Sequence, residues 1–369
     1  MVLLHVQLDN FYAFKNFQMD LTYPKKIVDS PILEEHLEGF PNFRYKKVNI
    51  IMGANASGKT TLGCALRDIF YFLKRKNYSL IPEAIGDPTK EASFTLDLVS
   101  RNILYNISCS FLPTRGTEYN AEDIKLEIRE EAIRPRDSYE SCLKRLKQAP
   151  FSPRENYLDE LNKLRGLAWL FEFPADTKRT LEFDTNDKKF IYVLENILKA
   201  LDPSVQKVEH SREVDDTYIV RLQNEAVILQ NKTPFDTDRL SSGTKAGVEI
   251  AMVVSSLLQG RYTFYYCDEK FSYIHSDVEK AILALMIDSI RPNEQLFFTT
   301  HNTDILDMDL PKHAFTFLRK DLNNTEQPIS CISASSLLKR SSDSLKNAVE
   351  NDLFSAAPAV DLIFAIANL

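Results

Sequence analysis

The chain lacks the usual marks of several protein classes. Its five cysteines, Cys64, Cys109, Cys142, Cys267 and Cys331, are odd in number and scattered, and no CxxC pair occurs. That pattern gives neither a zinc site nor a disulfide framework, and it suits a reducing, cytoplasmic setting. No run approaches the roughly 18 apolar residues of a membrane span. The most apolar stretch near an end, residues 356–369, is short and carries Pro358 and Asp361, so no membrane partner is expected. The opening MVLLHVQLDNF has no basic lead and no small-residue cleavage site, so a first strand is expected there rather than a secretory leader. Internal repeats, low-complexity tracts and sustained heptads are missing as well. The net charge of −7 argues against a protein that coats nucleic acid through a basic surface. The local runs Lys74-Arg75-Lys76 and Lys144-Arg145-Leu146-Lys147 read as solvated helix faces.

What is present is ordinary globular material: 369 residues, 44% hydrophobic and 26% charged, enough for one large or two modest domains. Val2 to Leu21 alternates as two strands around a turn, and the polar stretch Pro24 to Arg44 looks inserted. Lys47 to Met52 then reads as a short buried strand, followed by a glycine-bearing turn and a helix over Lys59 to Lys74. SFTLDLV and ILYNISCSF bracket the polar Ser100-Arg101-Asn102, a hairpin signal. From about residue 121 the pattern turns helical and charged, with SYESCLKRLKQ, YLDELNKLRGLAWLF and FIYVLENILKALDP carrying apolar residues three and four apart. VQKVEH, TYIVRL and AVILQ read as short strands. Beyond Leu240 a helix, a strand, a helix and a strand follow, and YTFYYCDE and QLFFTTH look buried on both faces, as in a parallel sheet wrapped by helices. The two ends thus read as halves of one α/β domain, residues 1–120 and 237–369. Residues 121–236 read as a mostly helical insertion with short strands.

Four segments carry chemistry. Residues 53–60, GANASGKT, fit GxxxxGK[ST]. Gly53 and Gly58 let the backbone wrap a phosphate, Lys59 supplies a mobile cation, and Thr60 offers a hydroxyl to Mg²⁺ at the positive end of a helix. TFYYCDE ends an apolar strand in two carboxylates. Asp268 is placed to hold Mg²⁺, and Glu269 to polarise an attacking water as general base. LSSGT, residues 240–244, stands directly before a helix, where Ser241 and the N–H groups around Gly243 form an anion site. Alone it is only a helix cap, but it precedes the acidic strand by about one helix. His301 closes QLFFTTH; a histidine at a strand end is usually a satisfied turn residue, but this one follows an acidic strand and an intervening helix. Ser272-Tyr273-Ile274-His275 lies between them, and His275 is equally readable as a helix-entry residue.

In order, GANASGKT, LSSGT, YYCDEK, SYIH and TTHN resemble the motifs of the ABC-type ATPase superfamily, in particular its SMC, RecF and OLD branch, over roughly residues 1–112 and 236–320. The opening VQLDNFYAFKNFQMDL is similar to the N-terminal hairpin of that branch. The resemblance implies an α/β ABC ATPase head, a P-loop NTPase with a mixed sheet and an N-terminal antiparallel lobe. It also implies that two heads pair head to tail and sandwich two Mg-ATP molecules. The nucleotide would lie against Gly53, Asn55, Ser57, Gly58, Lys59, Thr60 and Thr61 of one copy and Ser241, Ser242 and Gly243 of the other. Thr60 and Asp268 would hold the metal, and Lys59, Glu269 and His301 would act in hydrolysis. One family feature is missing: no glutamine lies between Lys59 and Lys147 to serve as the Q-loop residue, and Gln148 sits in an expected helix.

The insertion is too short for SMC-type arms. The ending SLKNAVENDLFSAAPAV and the stretch TTHNTDILDMDLPKHAFTFLRKD are similar to stand-alone bacterial ATPases of anti-phage systems such as PARIS (AriA), Septu (PtuA) and the restriction-linked RloA proteins. Only residues 302–369 follow His301, fewer than a Toprim domain of about 100 residues needs. The expected partners are therefore a second copy and a separate effector, a nuclease or toxin, with DNA or a phage protein as candidate triggers. A RecF-like DNA repair or recombination ATPase and a slow nucleotide-dependent regulatory switch are the alternatives. The C-terminal LFSAAPAVDLIFAIANL reads as a core-packing helix or a partner-docking element.

Overall fold

In the computed structural model, residues 1–369 are described except 28–29, 114–118, 151–155, 174–187, 212–213, 215–216, 231–232, 235–241, 341–342, 356–365 and 367–369. The chain opens with β1 (Val2–Asp9), β2 (Phe17–Asp20), β3 (His36–Leu37), β4 (Phe40–Arg44) and β5 (Val48–Met52). It continues with α1 (Lys59–Arg75), α2 (Ile81–Ala84), β6 (Ala92–Ser100), β7 (Ile103–Phe111) and β8 (Ile124–Ala132). Next come α3 (Tyr139–Gln148), α4 (Tyr157–Leu161), β9 (Trp169–Glu172) and α5 (Lys188–Leu201). They lead to β10 (Val205–His210), β11 (Thr217–Leu222), β12 (Ala226–Gln230) and β13 (Thr233–Pro234). The last part holds α6 (Ser242–Gln259), β14 (Phe264–Asp268), α7 (Ser276–Ser289), β15 (Gln295–Thr299), β16 (Phe315–Lys320), β17 (Ile329–Ser333), α8 (Ala334–Leu337) and α9 (Leu345–Glu350).

Two large sheets organise these elements. The central one has the order β17-β16-β5-β15-β14-β9 and is parallel except where β17 meets β16. The second, β2-β1-β6-β7-β8, is antiparallel throughout. β5, β14 and β15 are buried at every position, which is why they read as continuous apolar runs. Their side chains still alternate between two cores. Phe264 and Tyr266 join Leu62, Leu66, Ile69 and Phe70 of α1 on one face. Tyr265 and Cys267 join Val248, Ala251 and Leu283 of α6 and α7 on the other. So α1 and α6 cover opposite faces of the central sheet. Among the described residues, no helix is long and apolar enough to cross a membrane.

Residues 121–236 feed both large sheets. β8 pairs along its whole length with β7, and β9 pairs in parallel with β14. The run YLDELNKLRGLAWLF, helical by its spacing, is helix only as far as Leu161. Gly166 interrupts it at φ 73°, with Ser100 Oγ only 2.7 Å from where a Cβ would stand. The apolar remainder then pairs as β9, because a short apolar run suits a buried strand as well as a helix.

Helix α1 approaches β14 closely at Gly63, where an added Cβ would lie 2.6 Å from a Tyr266 ring carbon and 2.8 Å from a Phe173 ring carbon. The Tyr266 hydroxyl donates a 2.7 Å hydrogen bond to the Lys59 carbonyl, so the same contact anchors the start of α1. Gly63→Ala is expected to lower unfolding stability by about 1–3 kcal/mol through overpacking, read from urea unfolding followed by circular dichroism. A variant as stable as the parent would show that the helix and strand can separate freely there.

Candidate nucleotide site

The phosphate loop leaves the end of β5 and turns into α1 through residues that need unusual backbone angles. Gly53 and Gly58 have φ of 154° and 108°, and Ala56 is left-handed at 61°. A Cβ on Gly53 would meet Leu318 O at 2.5 Å and Ser57 Oγ at 2.7 Å, so only glycine fits where the loop bends back on β16. Ser57 Oγ is buried and has no hydrogen-bond partner. An orphaned donor inside a loop of inward-bending backbone is unusual in a settled core and marks room for an acceptor.

Lys59 is 3% exposed, and its ammonium donates to the carbonyls of Gly53 at 2.8 Å and Ala54 at 3.2 Å. Burial lowers its pKa, and the negative charges of Glu269 and Asp268 work against that shift. Glu269 Oε1 lies 3.3 Å from Lys59 Nζ and 2.7 Å from His301 Nε2, and His301 Nδ1 is 3.5 Å from the same ammonium. The cation, the carboxylate and the imidazole therefore converge at the mouth of the loop. Asn55 is exposed, and Thr61 is half-buried in the first turn of α1.

The acidic strand end is held just as tightly. Asp268 is fully buried, its Oδ2 accepting from Thr60 Oγ1 at 2.6 Å and its Oδ1 from Thr299 Oγ1 at 2.7 Å. Burial raises its pKa and the two hydroxyls pull it back. Thr299 also accepts the Glu269 N–H, through Oγ1 at 2.9 Å and the carbonyl at 3.2 Å. That double contact fixes Glu269 in a left-handed conformation, φ 45°, which costs a non-glycine residue free energy and turns its side chain out of the strand. Thr60 and Asp268 thus put a hydroxyl and a carboxylate side by side, an all-oxygen pair of the kind Mg²⁺ takes together with phosphate and water.

Ser241 lies outside the described residues. Ser242 and Gly243 open α6 rather than precede it, and Thr244 is buried with its hydroxyl 3.4 Å from Asp202 Oδ2. Since α1 and α6 sit on opposite faces of the sheet, one chain does not bring Ser242 and Gly243 onto the face that carries the phosphate loop's helix. His275 caps α7, its Nδ1 accepting from the Asp277 N–H at 3.2 Å. Gln148 ends α3, which packs on β8 in the antiparallel lobe.

Residues that the sequence did not single out also serve the site. Lys270 is buried beside Glu269, with Glu249 Oε2 of α6 at 2.5 Å, Phe173 O at 3.1 Å and Glu172 Oε2 of β9 at 3.4 Å. Only the break in the helical run at Gly166 and the apolar stretch after it could have pointed to β9. A cavity of about 620 Å³ borders Gly53 to Asn55 and His301. Its other walls mix apolar Leu306, Phe317, Val349 and Phe354 with charged Lys346 and Glu350.

The fold has counterparts among solved structures. The structure is similar to an SMC head bound to the C-terminal winged-helix domain of ScpA, with TM-score 0.50 and 15% identity over 92% of this chain and all of that one. It is equally similar, at TM-score 0.50 and 12% identity, to an SMC head with an extended coiled coil bound to the C-terminal domain of ScpA derived from Pyrococcus furiosus. There the match covers 92% of this chain and 98% of the other. An SMC head domain from Thermotoga maritima matches at TM-score 0.46 and 13% identity, over 90% of this chain and 99% of that one. No curated relative matches the sequence. A family model described as "AAA domain, putative AbiEii toxin, Type IV TA system" matches residues 48–307, from the first residue of β5 to the end of the helical turn after His301. With that match over well more than half its length, and with the fold of an SMC-type ABC ATPase head, the chain belongs to this family of AAA-domain ATPases.

Proposed function

We propose that the chain binds Mg-ATP at the phosphate loop and hydrolyses it in a site completed by a second copy of itself. The observation that supports this best is the convergence of Lys59, Glu269 and His301 on one point, beside the Thr60–Asp268 pair. The residues fit the ligand. The glycine bend leaves room for phosphate oxygens, Ser57 Oγ lacks a partner, and the Thr60–Asp268 oxygens suit a small hard cation. Bound Mg²⁺ would neutralise charge on the β- and γ-phosphates. Lys59 then exchanges its carbonyl partners for phosphate oxygens. Glu269 leaves the ammonium and accepts a proton from the attacking water, and His301 is close enough to hold the transferring group in line.

The helix that Ser242 and Gly243 open covers the opposite sheet face from α1, so in this reading its N-terminal end meets the phosphates of another copy. Lys59→Ala should weaken ATP binding about tenfold or more, the usual consequence of losing a charge-assisted contact. Glu269→Gln should bind ATP normally yet turn over about 10²–10⁴-fold more slowly, as expected for loss of a general base. Equilibrium binding and phosphate release measure the two. Unchanged turnover in both variants would refute the assignment. Mixing separates a shared site from a self-contained one: Lys59→Ala and Gly243→Asp chains, each inactive alone, should together regain about a quarter of parental turnover if copies pair at random. A mixture as inactive as its parts excludes the shared site.

We further infer that the ATPase acts as sensor or scaffold in anti-phage defence, controlling a separate effector. The family description, with its putative toxin and toxin–antitoxin system, supports that reading, and so does the similarity of the C-terminal motifs to stand-alone defence ATPases. Purification from the native operon should bring down an effector in fixed ratio. Repeated recovery of the ATPase alone, with no effector gene adjacent, sinks the reading.

A further inference from the structure

We propose that Glu279 is a positioning residue that sets His301 against Glu269 by gripping the chain on both sides of the imidazole. This deepens the ATPase reading and rests on it for the role of His301. Glu279 lies in the first turn of α7 and is 4% exposed. Its Oε1 accepts from Thr300 Oγ1 at 2.7 Å and its Oε2 from Asn302 Nδ2 at 2.7 Å. The two donors are the immediate neighbours of His301, which itself reaches outward to Glu269 Oε1 at 2.7 Å.

The grip is closed by further bonds. The Asn302 N–H donates to Thr300 Oγ1 at 3.0 Å, Asn302 Nδ2 also reaches Ser276 Oγ at 2.9 Å, and Asn302 Oδ1 accepts from the Asp304 N–H at 2.9 Å. Asn302 is thus fixed in orientation, its amide nitrogen toward Glu279 and its oxygen toward Asp304. Among the described residues no lysine or arginine pairs with Glu279, and burial raises its pKa while the two donors oppose the rise. A carboxylate buried between neutral donors stabilises a core less than an apolar side chain of the same size. What it contributes is geometry: a two-pronged acceptor fixes two points of a short segment, leaving the residue between them one path outward. The same turn of α7 receives the loop after Glu269, whose Ser272 Oγ donates to the Glu269 carbonyl at 2.9 Å.

Glu279→Gln keeps the shape but removes the charge and one of the two acceptors: its N–H₂ faces either the amide of Asn302, donor against donor, or the Thr300 hydroxyl, which must then turn its own proton away, so one charge-assisted prong is lost either way. We expect kcat for ATP to fall about tenfold with KM within about twofold and the melting temperature nearly unchanged, the pattern of a group that acts in the transition state and not in binding. Asn302→Asp added to Glu279→Gln reverses donor and acceptor and should bring kcat back to within about threefold of the parent, a coupling only contacting residues show. Parental kcat in Glu279→Gln, or no recovery in the double variant, overturns the proposal. Should Glu279→Gln not fold, Thr300→Val, which removes the hydroxyl that donates to Glu279 and accepts from the Asn302 N–H, is expected to lower kcat at constant KM, and an unaltered kcat there overturns it equally. If the parent itself hydrolyses no ATP, the activity reading falls separately. The positioning is then read from the His301 ring signal by NMR, assigned through its loss in His301→Gln. That signal should shift in Glu279→Gln and return in the double variant, and an unmoved signal refutes the grip.

Discussion

Three parallel strands that end level with one another carry the whole arrangement. Ile51 of β5 is paired with Thr299 of β15, and Thr299 with Asp268 of β14. This register brings the phosphate loop, the two carboxylates and the histidine to one edge of the sheet, although the loop lies more than 200 residues before the others in the chain. Side-chain period is two in a strand, so a slip of one residue would turn Asp268 to the other face and place Tyr265 where Tyr266 supports α1. The register is protected by complete burial of all three strands on both faces and by Thr299, which ties Asp268 and Glu269 to β15 through side chain and backbone together. In open α/β sheets this edge, past the carboxyl ends of the strands, is where ligands bind.

Electrostatics gives that edge its tension. Lys59 is held by carbonyls and by Glu269, and Glu269 also by His301, so the three groups satisfy one another when nothing else does. In the proposed reading, a polyanion entering the loop competes with carbonyl oxygens for the ammonium and frees the carboxylate as it does so. Burial makes that exchange matter, because charge–charge contacts are worth more where water is scarce. Asp268 feels the opposite pressure. Its burial favours the protonated form, and the two hydroxyls that donate to it keep a charged form available.

The sequence shows these motifs plainly because each is a short run with a local physical cause: glycines at forced turns, carboxylates ending an apolar strand, a histidine ending another. The strands after Tyr262 are equally plain, since burial on both faces leaves unbroken apolar runs. Residues 121–236 are harder. Nothing local in AWLFE says whether it packs as helix or strand; the decision comes from β14, far away in sequence, offering an edge to pair with. Lys270 and Glu279 are invisible for a similar reason. A lysine after Asp-Glu and a glutamate in a charged helix turn look like solvated residues until the fold surrounds them. Ser241 lies outside the described residues, and the pairing of two heads is a matter of surfaces that periodicity cannot reveal.

The ionic knot at Lys270 has a consequence for how such a chain can change over time. One ammonium faces two carboxylates that come from different layers, Glu249 from a helix and Glu172 from the edge strand. Replacing the lysine alone would take the cation from the buried Glu172 and the partly exposed Glu249 together, and replacing Glu172 alone would loosen the edge strand without relieving the helix. Breaking a buried ion pair from one side costs several times what exchanging the whole set for apolar residues does. The three positions are therefore expected to drift together or not at all, and a concerted exchange among relatives would trace the joint between the edge strand, α6 and the end of β14.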